Sequence, residues 1–522
     1  MKVEIYDTTL RDGAQTQGIS FSVADKLQIV EKLDELGITY IEGGWPGANP
    51  KDVEFFKKAK KLKLKNAKLA AFGSTRRANT DVSKDAVING LLRSDVNVIT
   101  IFGKSWALHV KEILKTTLEE NLQMIEDSVR YLKSKGKFVI FDAEHFFDGY
   151  KDNSEYAIKT LLSAEKGGAD RIVLCDTNGG MLTSTVFKVV EEVKKEISSP
   201  LGIHAHNDSD MAVANSLAAV EAGCVHVQGT INGYGERCGN ANIISIIANL
   251  KLKLGADCIS DLQLKELTEI ARYVAEVSNM NLNDNLPFVG ASAFAHKAGV
   301  HVNAILKNPD SYEHTDPGKV GNRRKLLISE LSGQSSILKK SQEIELGLSK
   351  EAPQTKKILN ALQKLEHKGY HFEVAEASLD LFMKKAMKKF KSFFELKNFR
   401  VTVRKKSKSK LTSAASIELI VKGKSKRSSS FGDGPVNALD NALRKALKDF
   451  YPGLAEMRLT DFKVRVLEEK VGTEAKVRVL IESQDSTDSW WTIGVSENII
   501  EASWQALVDS VEYKLLKEAE KI

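Results

Sequence analysis

The sequence predicts an α/β protein: a (β/α)8 TIM barrel, then a helical connector, then a C-terminal α+β module with an internal repeat. Three observations predict it. Eight short β-rich runs alternate with amphipathic stretches over residues 1–255. Unusual polar residues fall at the carboxyl end of nearly every run. From about residue 396 the chain repeats its own pattern.

The predicted strands are 3–7, 40–43, 68–72, 96–102, 138–143, 171–175, 201–206 and 225–230. Between them, stretches such as 22–36, 118–133, 154–166 and 183–196 carry apolar residues at helical spacing, and Gly37 and Gly136 close two of them. Strand and helix in this order make parallel βαβ units, and eight units close into a barrel. The polar residues then lie where such a barrel carries its chemistry: Asp7 and Arg11, Glu42, Ser74-Thr75, Lys104, Asp142 and Glu144, Asp176-Thr177-Asn178, His204 and His206, and Glu236-Arg237.

Residues 256–395 lack strand signals and read as helices joined by turns such as Asn308-Pro309-Asp310. In 396–522, residues 398–403 correspond to 461–466, 416–421 to 476–481 and 428–432 to 489–494. Each copy ends in a helix, 436–447 or 499–516. Two strand-strand-strand-helix units bury their apolar faces against each other as one module.

With 522 residues, 42% hydrophobic and 28% charged, the chain has room for two or three domains. Its longest apolar stretches, such as 138–141 and 245–250, fall short of the roughly 20 residues needed to cross a bilayer, and no signal-like segment opens it. The expectation is a cytoplasmic protein without a membrane partner. Cys175, Cys224, Cys238 and Cys258 show no paired spacing and read as buried small residues of a reducing compartment. The net charge of +7 concentrates between Lys384 and Lys410. No recognition motif accompanies those lysines, so they read as a solvated helix and linker, with no nucleic-acid partner expected.

The chemistry concentrates in two places. Arg11 and Asp12 sit in the loop just past the first strand. His204 and His206 lie two apart on a strand, so both point to one face. Two imidazoles and a carboxylate on one face make a divalent-metal site. A lone strand histidine is ordinarily structural, but His-x-His at a barrel's carboxyl end, with Arg-Asp after strand one, is not a lone histidine.

Three longer motifs carry a family resemblance: Phe141-Asp142-Ala143-Glu144-His145-Phe146-Phe147-Asp148-Gly149, the segment Gly229 to Asn242 with its Gly235-Glu236-Arg237-Cys238-Gly239-Asn240-Ala241-Asn242 turn, and Ala293-Phe294-Ala295-His296-Lys297-Ala298-Gly299-Val300-His301. With them the chain resembles, over its whole length, the acyl-CoA-condensing branch of the DRE-TIM metallolyases, the α-isopropylmalate and homocitrate synthase family, and within it the citramalate-forming group. The resemblance implies Asp12, His204, His206 and Asn240 as ligands of a divalent ion, and mixed carboxylate, imidazole and amide ligation suits Mg²⁺, Mn²⁺, Co²⁺ or Zn²⁺. It implies Arg11 at the developing alkoxide, Glu144 and His301 as the catalytic pair with Tyr312 alongside, and Thr177 at the keto-acid carboxylate. Glu42, grouped with Arg11 and Thr177 at the substrate, is expected to orient Arg11 or the metal's ligands.

The implied activity is condensation of acetyl-CoA with pyruvate and hydrolysis of the thioester to (R)-citramalate, in isoleucine synthesis. The implied C-terminal module is allosteric, with isoleucine as inhibitor and a homodimer as the assembly. The Gly432-Asp433-Gly434-Pro435-Val436 turn reads either as a carboxylate-binding helix start or as a plain cap. Use of 2-ketoisovalerate, as in 2-isopropylmalate synthesis, stays open, as does a catalytically silent amino-acid sensor.

Overall fold

The computed structural model describes residues 1–46, 49–326, 338, 340–342, 344, 353–405, 407, 410–467, 475–486 and 488–520. It divides into two units, Met1–Phe294 with His314–Arg324, and Ala295–Glu313 with Lys325–Ile522.

In the first unit β1 (Glu4–Asp7), β2 (Tyr40–Gly44), β3 (Lys68–Ser74), β4 (Val98–Lys104), β5 (Phe138–Glu144), β6 (Arg171–Asp176), β7 (Leu201–Ala205) and β8 (His226–Gly229) close into a barrel in sequence order. All neighbours are parallel, and β1 closes the ring on β8 at Glu4↔His226. A helix follows every strand: Val23–Leu36, Pro50–Ala59, Ala86–Arg93, Leu118–Ser134, Phe146–Gly167, Thr183–Glu196, Ala212–Ala222 and Ile243–Leu252. The first starts on a reciprocal cap, Asp25 N donating to Ser22 Oγ at 3.2 Å and Ser22 N to Asp25 Oδ2 at 2.7 Å.

Strand residues alternate between two cores. Tyr6, Tyr40, Ala70, Val98, Ile140, Val173 and Cys175 fill the barrel interior, while Ile5, Ile41, Ile99, Phe141, Leu174 and Ile203 pack outward against the helices. Fully burying one such side chain is worth about 1.5–3 kcal/mol, so the two layers together carry the fold.

Several elements differ from expectation. β7 stops at Ala205, and His206 lies just past it in an isolated antiparallel bridge to Asn240. The helix expected over 154–166 begins at Phe146, with a break at Asn153 where φ is −152°. Cys175 and Cys224 are buried and Cys258 is half-buried, but Cys238 is exposed, because the turn that carries it reaches out over the barrel mouth. Among the described residues, no helix is long and apolar enough to cross a membrane.

The second unit contains the helices Gly299–Lys307, Pro353–His367 and Glu376–Ala386, and a short parallel pair, β9 (Ala295–His296) with β10 (Lys325–Leu326), within a stretch that reads as strandless. Its repeat is two antiparallel sheets, β11 (Phe394–Arg404), β12 (Thr412–Val421) and β13 (Lys424–Gly432), then β14 (Arg458–Val466), β15 (Val477–Gln484) and β16 (Ser489–Ser496). Each is followed by its helix, Pro435–Leu447 or Ile499–Glu520. Both copies carry a bulge at the equivalent place, between Leu396 and Asn398 and between Leu459 and Asp461. Ile417, Leu419 and Leu443 of one copy share a core with Val479, Ile481, Trp490 and Leu507 of the other.

The lysine-rich stretch is only partly solvated. Lys384 pairs with Glu520, and Lys385 pairs with Asp509 at 3.3 Å and Glu512 at 3.0 Å, tying the helix Glu376–Ala386 to the last helix. Lys406 and Lys408 lie outside the described residues.

Candidate metal-centred active site

The loop after β1 is a tight turn in which the amides of Arg11, Asp12 and Gly13 all donate to Thr8 O, at 3.2, 2.9 and 3.1 Å. The turn lifts Arg11 and Asp12 over the barrel mouth toward the end of β7. There Asp12 Oδ2 lies 3.5 Å from His204 Nε2 and 3.9 Å from His206 Nε2, and the two Nε2 atoms are 3.3 Å apart. All three side chains are buried. Among the described residues they form a group of ligand atoms lying within 4.8 Å of one another.

The protonation states suit a cation. Burial lowers His204, and burial together with its neighbour His204 lowers His206 to about 4, so both imidazoles are neutral donors. Against burial, the Arg11 guanidinium holds Asp12 below the ordinary carboxylate range. Asn240 Nδ2 donates to Tyr234 O at 3.1 Å, and its Oδ1 is buried without a hydrogen-bond partner. Gly239 makes the turn that places Asn240: its φ is +90°, and a Cβ there would meet Gly233 O at 2.0 Å. A carboxylate and two neutral imidazoles brought together in this way fit a divalent ion.

Arg11 is held from below. Its Nε donates to Glu42 Oε1 at 2.6 Å, Thr8 Oγ1 donates to the same oxygen at 2.5 Å, and Tyr6 OH donates to Glu42 Oε2 at 2.6 Å. Its guanidinium carbon lies 3.7 Å from the centre of the Phe72 ring. Glu42 is fully buried, with both oxygens engaged by Tyr6, Thr8 and Arg11.

A cavity of about 230 Å³ opens at this point and brings together Arg11, Asp12, Glu144, Thr177, His204 and His206. Thr177 Oγ1 accepts from His145 N at 2.9 Å, which leaves its proton for a ligand. Glu144 is paired with Lys104. Arg237 grips Asp208 at 2.8 Å and donates to Thr177 O at 2.7 Å, a strap across the rim. Sequence reasoning missed the cavity's apolar wall, Trp45, Phe72 and Phe102, whose rings meet edge-on or stacked at 5.4–5.9 Å. The available signal was an aromatic residue at or just past the end of three successive strands.

His301 and Tyr312 belong to the second unit, where their rings stack at 4.2 Å and both are exposed. His296, a near neighbour of His301 in sequence, is instead tied to Glu313 at 3.2 Å. In the same unit Gly434 caps its helix with no side-chain acceptor, and Asp433 N donates to Asn437 Oδ1 at 3.2 Å.

Three family models match in succession: HMGL-like over residues 2–274, homocitrate synthase post-HMGL domain-like over 288–370, and the LeuA allosteric (dimerisation) domain over 373–515. The (R)-citramalate synthase of Aquifex aeolicus is 56% identical over 100% of this chain and 99% of its own. That of Geobacter sulfurreducens is 55% identical over 99% of this chain and 98% of its own. A 2-isopropylmalate synthase of Methanocaldococcus jannaschii is 32% identical, covering 100% of this chain and 96% of its own.

Proposed function

The chain belongs to the HMGL-like family, and from that premise we propose that it condenses acetyl-CoA with pyruvate and hydrolyses the thioester, releasing (R)-citramalate and CoA. The observation that carries this reading is the convergence of Asp12, His204, His206, Arg11, Glu144 and Thr177 on one small cavity, in a chain 46–56% identical to five (R)-citramalate synthases.

The enol of acetyl-CoA is the nucleophile: a base removes a proton from the acetyl methyl, the methyl carbon bonds to the keto carbon, and the former carbonyl oxygen takes up a proton. Water then cleaves the thioester, leaving a carboxylate and free CoA thiol. Asp12, His204, His206 and Asn240 would hold a Mg²⁺, Mn²⁺, Co²⁺ or Zn²⁺ ion, which when bound would supply Lewis-acid polarisation of the keto acid. Arg11, immobilised by Glu42, directs its remaining N–H donors at the oxygen on which negative charge develops. Thr177 offers its hydroxyl proton to the keto-acid carboxylate. Proton transfer at the acetyl methyl is assigned to Glu144 and to His301, with Tyr312 stacked on the latter, following the motif resemblance.

Trp45, Phe72 and Phe102 supply the apolar wall against which the side chain of the keto acid is read to lie. The match to a LeuA allosteric (dimerisation) domain supports an allosterically regulated dimer; isoleucine as its inhibitor follows from the reading of the reaction as a step of isoleucine synthesis. The enzyme so read works in the cytoplasm.

The test is release of CoA thiol from acetyl-CoA with pyruvate, 2-ketoisovalerate, 2-ketobutyrate, glyoxylate and 2-ketoglutarate, each with and without a chelator. Pyruvate-selective release that the chelator abolishes is the expected result. Preference for 2-ketoisovalerate would overturn the substrate, and no release with any keto acid would overturn the reaction.

A further inference from the structure

We propose that Lys104 is a positioning residue for this reaction, holding the Glu144 carboxylate in place at the end of its strand. The proposal rests on the reading of Glu144 as a proton-transfer group. β4 and β5 end side by side, with Lys104 directly paired to Glu144 in the parallel register. In-register neighbours project to the same face, so the two side chains meet without any loop having to place them. Lys104 Nζ and Glu144 Oε2 form an ion pair, with the side chains 15% and 24% exposed. Glu144 Oε2 is buried and receives no aligned hydrogen bond, so its charge is met by the ammonium.

The other charged groups around Glu144 are otherwise engaged. Arg11, which shares the cavity, is bound to Glu42 at 2.6 Å and lies 3.5 Å from Asp12. On the β4 side, burial lowers His109, and His145 and Lys104 push it in the same direction, so it brings no cation at neutral pH. On the β5 side, His145 Nδ1 lies 3.1 Å from Asp148, and Asn178 also donates to Asp148 at 3.0 Å. From β6, burial raises the Cys175 thiol well above its ordinary value, so it stays neutral. Lys104 itself lies along a neighbouring ring, its Nζ 5.5 Å from the centre of Phe102, which limits the positions the ammonium can take. Removing the ammonium takes away this ion pair and leaves the carboxylate free to swing from the orientation in which it lines the cavity.

The experiment measures kcat and KM for pyruvate in wild type, K104M, K104R and E144Q, with Mn²⁺ affinity by calorimetry as a second readout. Expected for K104M are a kcat about 10-fold or more below wild type, an unchanged KM for pyruvate and unchanged Mn²⁺ affinity. K104R is expected to restore kcat. Should K104M not fold, K104Q carries the same test. If E144Q is inactive while K104M keeps wild-type kcat, the proposal alone is overturned. If E144Q keeps wild-type kcat, the reading of Glu144 fails and the proposal fails with it.

Discussion

His204 Nδ1 lies 3.0 Å from the side-chain oxygen of Gln228, whose amide nitrogen in turn donates to Asp142 Oδ1 at 2.9 Å. An amide oxygen only accepts, so the imidazole proton sits on Nδ1 and the Nε2 lone pair faces Asp12 and His206. Gln228 and Asp142 therefore stand behind the candidate metal site without belonging to it. Burial, reinforced by the nearby Glu42 charge, pushes the Asp142 carboxyl up to about 8, so this relay adds no second negative charge beside Asp12 at neutral pH.

Gln228→Leu removes the acceptor and frees the His204 tautomer. Mn²⁺ affinity measured by calorimetry is expected to fall about 10–100-fold, with the circular dichroism spectrum unchanged. Undiminished affinity would show that His204 does not depend on Gln228.

Glu42→Ala leaves Arg11, Tyr6 and Thr8 facing a vacated space, with the guanidinium still largely buried. Removing one partner of a buried ion pair costs about 3–5 kcal/mol. Urea unfolding is expected to show that loss, with kcat reduced because Arg11 is no longer held. A midpoint equal to wild type would mean that water replaces the carboxylate without penalty.

Glu4, at the amino-terminal end of the barrel, would be raised by burial, but hydrogen bonds with His226 and with the forked Arg171 outweigh this and bring it down to about 2. A folded pKa below the unfolded one stabilises above the unfolded value of about 4.3, and that stability is lost as pH falls toward the folded value. The urea midpoints of wild type and Glu4→Gln are therefore expected to differ at pH 7 and to converge between about pH 4.5 and 2. A gap that stays constant over that window would exclude the carboxylate charge as its source.

Trp45→Ala opens the cavity wall where it meets Phe72 and Phe102. Pocket space for one or two methyl groups is worth about 1–3 kcal/mol each, so the ratio of kcat/KM for pyruvate over 2-ketoisovalerate is expected to drop about 10-fold or more. An unchanged ratio would place the keto acid's side chain elsewhere.

The barrel was legible because period-2 apolar runs and helical spacing are local properties, and the carboxyl ends of parallel strands must converge. The C-terminal repeat was legible for a similar reason, and the structure adds equivalent bulges at Asn398 and Asp461. The pair β9 and β10 was not, since two residues per strand show no period. Lys384 and Lys385 misled as part of a charged run, because what they pair with, Glu520 in one case and Asp509 and Glu512 in the other, lies more than a hundred residues further on.

For the site, residue type and spacing alone marked Arg11, Asp12, His204 and His206, since few arrangements other than a metal centre use His-x-His at a strand end opposite an Arg-Asp loop. Only the tertiary structure decided which groups stand behind them. Gln228 meets His204 across 24 residues and Asp142 across 86, and Tyr6 meets Glu42 across 36. Glutamine and tyrosine on a barrel strand look like any other strand residues in sequence. What makes them supports of the site is that closing the barrel puts neighbouring and facing strands within hydrogen-bond reach, which is a property of the ring and not of any one segment.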